Sequence, residues 1–539
     1  MDRRSFLESS TLAAAGVLIG GGRPAPAQTV TGRNFPLPIV ETAAGRVRGT
    51  IVNHVKAFRG IPYGASTAGP NRFLPPQKVE PWGRVRDARD IGPRAPQLNT
   101  PRVPEFAVMD RWEPQSEDCL TLNVWTPVAN ATEQRPVLVW LHGGSFSSGS
   151  AGYTLYDGAN LARRHDVVVV GVNHRLNLFG FLYLGDIGGE KYATANAGML
   201  DIVAALEWVR DNAERFGGDP KSVAVFGSGE KVSTLFGMPA ARGLFHRGIA
   251  MSGSQVRGIP REQATRTTER LLARLNVRPG QLDELQRISM RRLRAQIRDE
   301  GGEGAEPLVY GPVVDGRTLP GHPFDPVASD LLADVPLMIG STETEVTWNV
   351  NQFYDPLTDE QLQEDLMRAL RTDAGGAQQV IAAYRTNRPT ISNLDIYLIA
   401  ASDASTLRTG TDLEADRKAA QRRAPVYKYY FQWYSPVRGG MLRAMHGMDA
   451  PFAFYNQDVA ITEIGTGPRQ VEMAERLSAA LVAFARTGRP DHRLIPAWPA
   501  YDTARRQTMV MNNEWQVVSN PYGEEKAAIE AGRNRHPQT

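Results

Sequence analysis

Three side chains suited to hydrolytic chemistry fall at comparable places along the chain. Ser228 follows the apolar run Val223-Ala224-Val225-Phe226. Glu345 follows Val335-Pro336-Leu337-Met338-Ile339, and His446 follows Val426-Tyr427-Lys428-Tyr429-Tyr430-Phe431 after a further loop. A histidine can accept the proton of a serine hydroxyl, and a carboxylate on its other ring nitrogen fixes the tautomer that does so. A fourth run, Val137-Leu138-Val139-Trp140-Leu141, leads into His142-Gly143-Gly144-Ser145-Phe146. Glycines there let backbone N–H groups approach a developing oxyanion, although a tight turn would use the same residues.

The elements that must hold these residues are short and almost wholly apolar. Val167-Val168-Val169-Val170-Gly171-Val172 before Asn173 is a further example. Strands of this kind are buried on both faces, as in a mainly parallel sheet, and ligands of such sheets bind beyond the carboxyl ends of the strands. Helical patterns lie between them: Gly198 to Phe216, stopped by Gly217-Gly218-Asp219-Pro220, and Val471 to Arg486, stopped by Thr487-Gly488. The charged stretch from Arg261 to Glu303 reads as solvated helices covering the sheet or roofing a site. Strands alternating with helices define an α/β layered fold. The order serine, acid, histidine, each in a loop after a strand, is the chain order of the α/β-hydrolase triad.

Longer stretches resemble a known family. Phe58-Arg59-Gly60-Ile61-Pro62-Tyr63, Arg72-Phe73-Leu74-Pro75-Pro76 and above all Ser116-Glu117-Asp118-Cys119-Leu120-Thr121-Leu122-Asn123-Val124-Trp125-Thr126-Pro127 are similar to type-B carboxylesterases, the group of cholinesterases and bacterial para-nitrobenzyl-type esterases. Asn173-His174-Arg175-Leu176, Asn196-Ala197-Gly198, Gly243-Leu244-Phe245-His246-Arg247, Gly311-Pro312-Val313-Val314-Asp315-Gly316 and Phe484-Ala485-Arg486-Thr487-Gly488 continue the likeness over nearly the whole mature chain. The resemblance implies an α/β-hydrolase fold with large insertions over the active site. It also implies a serine hydrolase that cleaves small carboxylic esters through an acyl-enzyme, without cofactor. It casts Glu345 as triad acid, His446 as general base, and Gly144 and Ser145 as oxyanion-hole N–H donors. Ser145 stands where the family has a third glycine.

One signature departs from the family. Bacterial members commonly run Phe-Gly-x-Ser-Gly-Gly-Gly-x-Lys-Val-Ser-Thr-Leu, whereas Phe226-Gly227-Ser228-Gly229-Glu230-Lys231-Val232-Ser233-Thr234-Leu235 is three residues shorter. With the gap shared around the serine, Ser228 is the nucleophile and Gly229 the third oxyanion donor. With the strand held in register through Gly227, Gly229 takes the nucleophile position, and the chain is a non-catalytic binding protein of the same fold. The elbow residue is expected to sit in strained backbone, which costs about 1–3 kcal/mol and which glycine at 229 would relieve. A third reading, a phosphate loop at Gly227-Ser228-Gly229-Glu230-Lys231, has the wrong glycine spacing and Val232 where Ser or Thr is needed.

Other residues invite chemistry less strongly. His142 and His174 read as structural, Ser252 and Ser254 as turn residues, and Trp348 and Trp433 as core or pocket lining. No metal-ligand spacing occurs, so no metal is expected. Cys119 is the only cysteine, which excludes an intramolecular disulfide; it reads as a buried thiol. Among 539 residues, 61 basic and 58 acidic side chains nearly balance, which argues against a nucleic-acid partner. Arg3-Arg4 before Ser5-Phe6-Leu7, a short apolar run and an Ala25-Pro26-Ala27 ending fit a twin-arginine-type signal over residues 1–27. That predicts export, with cleavage after Ala27, a single domain over 28–539, and no stable membrane span. The composition leaves the oligomeric state open.

Overall fold

The apolar runs form strands where the sequence places them. The computed structural model describes residues 37–98, 113–129, 133–298, 308–347 and 356–533, and from Leu37 onward the chain clusters as one compact unit. The signal segment and Trp348 lie outside the described residues. In chain order the strands are β1 (Ile39–Thr42), β2 (Gly45–Arg48), β3 (Thr50–Val52), β4 (Val55–Pro62), β5 (Arg86–Asp87), β6 (Thr121–Thr126) and β7 (Arg135–Leu141). They continue as β8 (Val168–Val172), β9 (Gly218–Ser228), β10 (Arg247–Met251), β11 (Leu337–Thr342), β12 (Val426–Phe431), β13 (Gln507–Met511) and β14 (Gln516–Ser519).

β1, β2 and β5 make a small sheet, and the rest form one 11-stranded sheet in the order 14-13-12-11-10-9-7-8-6-4-3. Its centre, from β8 through β7, β9, β10, β11 and β12 to β13, is parallel, and antiparallel pairs close both edges. Along β9 the side chains alternate between two cores. Val223 and Val225 pack with Val137, Val139 and Leu141 on one face, while Ala224 and Phe226 pack with Leu138 and Trp140 on the other. Burial on both faces is why these strands read as unbroken apolar runs.

Two boundaries differ from expectation. The first predicted helix is α-helical only over Ala197–Asn212 and tightens to a 3-10 turn over Ala213–Phe216, with Gly217 at φ +76°. Gly218-Asp219-Pro220 does not form a loop but opens β9, because Gly218 pairs with Arg135 at the start of β7. The second helix runs from Pro468 to Thr487. From the charged stretch, the helix Arg261–Leu275 leaves Arg261, Glu262, Arg266 and Glu269 exposed and packs by one apolar stripe. It buries Leu271, Leu272 and Leu275 against Leu178, Phe179 and Leu182.

Candidate active site

The parallel centre delivers the predicted residues to one edge of the sheet. Ser228 ends β9 opposite Met251, the last residue of the neighbouring β10, and β11 on the far side of β10 leads directly into the Glu345 loop. The histidine loop is tied to that acid loop through the Thr344 N–H, which donates to the Ala444 carbonyl at 3.1 Å. The backbone thus fixes the spacing of acid and histidine before their side chains meet.

Glu345 and His446 form the strongest polar contact of the site. His446 Nδ1 lies 2.6 Å from Glu345 Oε2, with the glutamate side chain wholly buried and the imidazole side chain 35% exposed. The other carboxylate oxygen, Oε1, accepts from the Thr342 N–H at 2.8 Å and from the Ser252 hydroxyl at 2.7 Å. Burial pushes the Glu345 carboxyl up, but His446, Arg408 and the Ser252 bond outweigh it and hold it below its ordinary value. Burial likewise pulls the His446 imidazole down, while Glu345, Asp449 and Glu230 push it up and prevail. A carboxylate held charged against an imidazole is the arrangement that orients a general base and supports its imidazolium.

Two supporting residues escaped the sequence reading. Ser252, which reads as a turn residue, sits at φ +49° and donates its hydroxyl to Glu345 Oε1. Arg408, from the helix Thr406–Ala420, is fully buried. Its guanidinium bonds Asp403 Oδ1 at 2.7 Å and donates to the carbonyl of Thr342, so it braces the acid loop from below. Neither role has a local signal, since both depend on segments far apart in the chain.

The elbow does not take the form expected of it. Ser228 has φ −47° and ψ 112°, ordinary backbone, and Gly229 opens the helix Gly229–Phe236. The demanding conformation falls on Gly227, at φ +125°, where an added Cβ would lie 2.2 Å from the Leu141 carbonyl oxygen. The chain passes from strand to helix with its positive-φ residue at Gly227, where the lack of a Cβ lets the backbone change direction. The expectation of strain at Ser228, relieved by glycine at 229, is therefore corrected. Gly229 is required for another reason: a Cβ on it would sit 2.0 Å from the Gly253 carbonyl oxygen. Ser228 is 9% exposed, and among the described residues no hydrogen bond joins its hydroxyl to His446.

The loop predicted to supply oxyanion donors follows β7. Gly144 has φ +89° and Ser145 φ +51°, so the serine adopts the left-handed conformation that a glycine takes freely. The N–H groups of Ser147 and Ser148 both donate to the Gly144 carbonyl at 3.1 Å, closing the turn. Gly229, as the first residue of its helix, has an N–H with no intrahelical acceptor.

The remaining candidates have structural places. His142 and His174 are buried and stacked, with ring centroids 5.0 Å apart, and burial and Lys231 both push their imidazoles down. Lys231 is fully buried and donates to the His142 carbonyl, which removes it from any role as a phosphate lysine. Trp433 packs against Phe452 in the core. Ser254 bonds the buried Glu414, and Cys119 is a buried free thiol that burial pushes up strongly. Among the described residues, no group of acids, histidines and cysteines is arranged to hold a metal, and no helix is long and apolar enough to cross a membrane.

Known proteins share this architecture. The Carboxylesterase family matches residues 36–529, and the chain belongs to it. It is a carboxylic ester hydrolase of α/β-hydrolase fold and a member of the serine hydrolases. A para-nitrobenzyl esterase of Bacillus subtilis is 35% identical over 508 residues, covering 91% of this chain and 98% of the relative. A phenmedipham hydrolase of Pseudarthrobacter oxydans is 32% identical over 501 residues, 89% and 96% of the two chains. Among solved structures, a Geobacillus stearothermophilus carboxylesterase superposes with a TM-score of 0.77 at 36% identity, covering 91% of this chain and 99% of its own.

Proposed function

We propose that the chain cleaves small carboxylic esters with Ser228 as nucleophile, His446 as general base and Glu345 as the group that orients the histidine. The observation that carries this reading is the Glu345–His446 bond of 2.6 Å, with the second carboxylate oxygen held by Thr342 and Ser252. Glu345 keeps the proton of His446 on Nδ1, so Nε2 is free to accept. Ser228 Oγ attacks the ester carbonyl as Nε2 takes its proton. The N–H groups of Gly144, Ser145 and Gly229 hold the oxyanion. The tetrahedral intermediate collapses, Nε2 returns the proton to the departing alcohol oxygen, and the acyl group remains on Ser228. Water then attacks the acyl carbonyl as His446 takes its proton, the bond to Ser228 Oγ breaks, His446 returns that proton to Oγ, and the carboxylic acid leaves.

Substitution tests this assignment. Ser228→Ala should abolish hydrolysis of a short-chain para-nitrophenyl ester by the purified protein without changing its thermal midpoint. Retained hydrolysis in Ser228→Ala would overturn the assignment. The arginine pair and Ala27 further support export of the folded protein to the periplasm, with residues 1–27 removed. N-terminal sequencing of the periplasmic fraction tests that, and a chain beginning at Met1 in the cytosol would refute it.

A further inference from the structure

Directly beneath the oxyanion loop lies a charged group that the mechanism above does not use. Lys231 is the third residue of the helix that begins after Ser228, and its side chain is completely buried. Its ammonium has two polar partners, both on one residue: the His142 carbonyl oxygen at 2.6 Å and His142 Nδ1 at 3.3 Å. His142 immediately precedes Gly143-Gly144-Ser145. One bond therefore joins the helix that follows Ser228 to the first peptide of the loop carrying two oxyanion donors.

We infer that Lys231 is a positioning residue of the esterase site, fixing the oxyanion loop against the nucleophile helix; the inference rests on the proposed role of Ser228, Gly144 and Ser145. The far side of the loop already has its own anchors. Ser147 and Ser148 donate to the Gly144 carbonyl, and the Asn177 N–H donates to the Phe146 carbonyl at 2.6 Å. The near side has the lysine. Without it the His142 carbonyl would be a buried acceptor with no partner, and the peptide plane leading into Gly143 would be free to rotate. A merely space-filling residue at this position would be apolar, because an isolated buried amine is destabilising. Burial does push the amine down, to about 7, with Glu230 acting in the other direction. The fold thus keeps a buried ionisable group where the loop after β7 meets the helix that follows Ser228.

The test uses Lys231→Met, which keeps the length and volume, beside Lys231→Gln, which keeps a donor. Loss of a charge-assisted bond at this point should lower kcat by about 10–100-fold with KM changed less than about threefold, and Lys231→Gln should recover part of it. Hydrogen exchange read by mass spectrometry supplies a second readout that does not depend on catalysis. In Lys231→Met the peptide spanning 142–149 should exchange at least about tenfold faster, while Val168–Val172 in the adjacent strand keeps its wild-type rate. Unchanged exchange over 142–149 would overturn the inference, as would acceleration spread evenly through the core. If the wild-type protein hydrolyses no ester, the assignment of Ser228 fails, and the exchange comparison still decides for or against Lys231.

Discussion

Replacing Glu345 by glutamine probes the site at its best-defined contact. The substitution keeps the shape and removes one charge, and the surrounding donors dictate how the amide must lie. Oε1 faces the Thr342 N–H at 2.8 Å, a backbone donor that cannot turn away. The amide oxygen must therefore stay on that side, and its NH2 faces His446 Nδ1. An NH2 there requires an unprotonated Nδ1, which moves the imidazole proton to Nε2 and blocks acceptance of the Ser228 proton. Flipping the amide would restore the tautomer but set donor against donor at Thr342, leaving a buried N–H unpaired at about 1–3 kcal/mol. That confines the useful conformer to a minority of molecules, and even those lack the charge that supports the imidazolium. Together these effects predict a fall in kcat of about 10³–10⁴, the order seen when a triad carboxylate becomes an amide. The assay is steady-state hydrolysis of a short-chain para-nitrophenyl ester, with the thermal midpoint as a control for folding. A kcat within about tenfold of wild type would refute the role of Glu345 and, with it, His446 as the base.

Two further outcomes follow from the electrostatics. His446 is raised above its ordinary value of 6.5, since Glu345, Asp449 and Glu230 outweigh burial. The base works only when neutral, so kcat/KM should be lost as pH falls through a midpoint above 6.5; a midpoint below that value would contradict the Glu345 contact. Glu463 is buried with both carboxylate oxygens lacking hydrogen-bond partners among the described residues, and burial and Asp449 push it up to about 8. The folded state then keeps a proton that the unfolded chain loses at ordinary carboxyl pH, so stability falls as pH rises through that window. Glu463→Gln should therefore exceed the wild type in stability by at least about 1 kcal/mol at pH 9, with the gap closing towards pH 5, as read by thermal or denaturant unfolding. An equal gap at both pH values would refute the shift.

Much of this was legible in the sequence, and the residues that were not share a reason. The strands reveal themselves because burial on both faces leaves Val137–Leu141 or Val168–Val172 no polar positions. Glu345 and His446 stand out because a loop after such a strand is where a site must be. Ser252 and Arg408 gave no comparable signal. A hydroxyl at φ +49° and a guanidinium bracing the Thr342 carbonyl acquire their roles only when β10, β11 and a helix some sixty residues further on converge. Lys231 reads as a possible phosphate ligand because Gly227-Ser228-Gly229 stand just before it in sequence, whereas its polar partners in space are two atoms of His142. The elbow misled for a different reason. Strain was expected at Ser228, whereas the positive-φ conformation falls one residue earlier, on Gly227.

Ser228 is the point on which the account turns. Reaction of the pure, folded protein with a fluorophosphonate, followed by intact-mass measurement and peptide mapping, reads its nucleophilicity directly. The account predicts one phosphonyl group per chain, on Ser228, with labelling suppressed in His446→Ala. A folded protein that takes up no label, or that carries it on another serine, would contradict it.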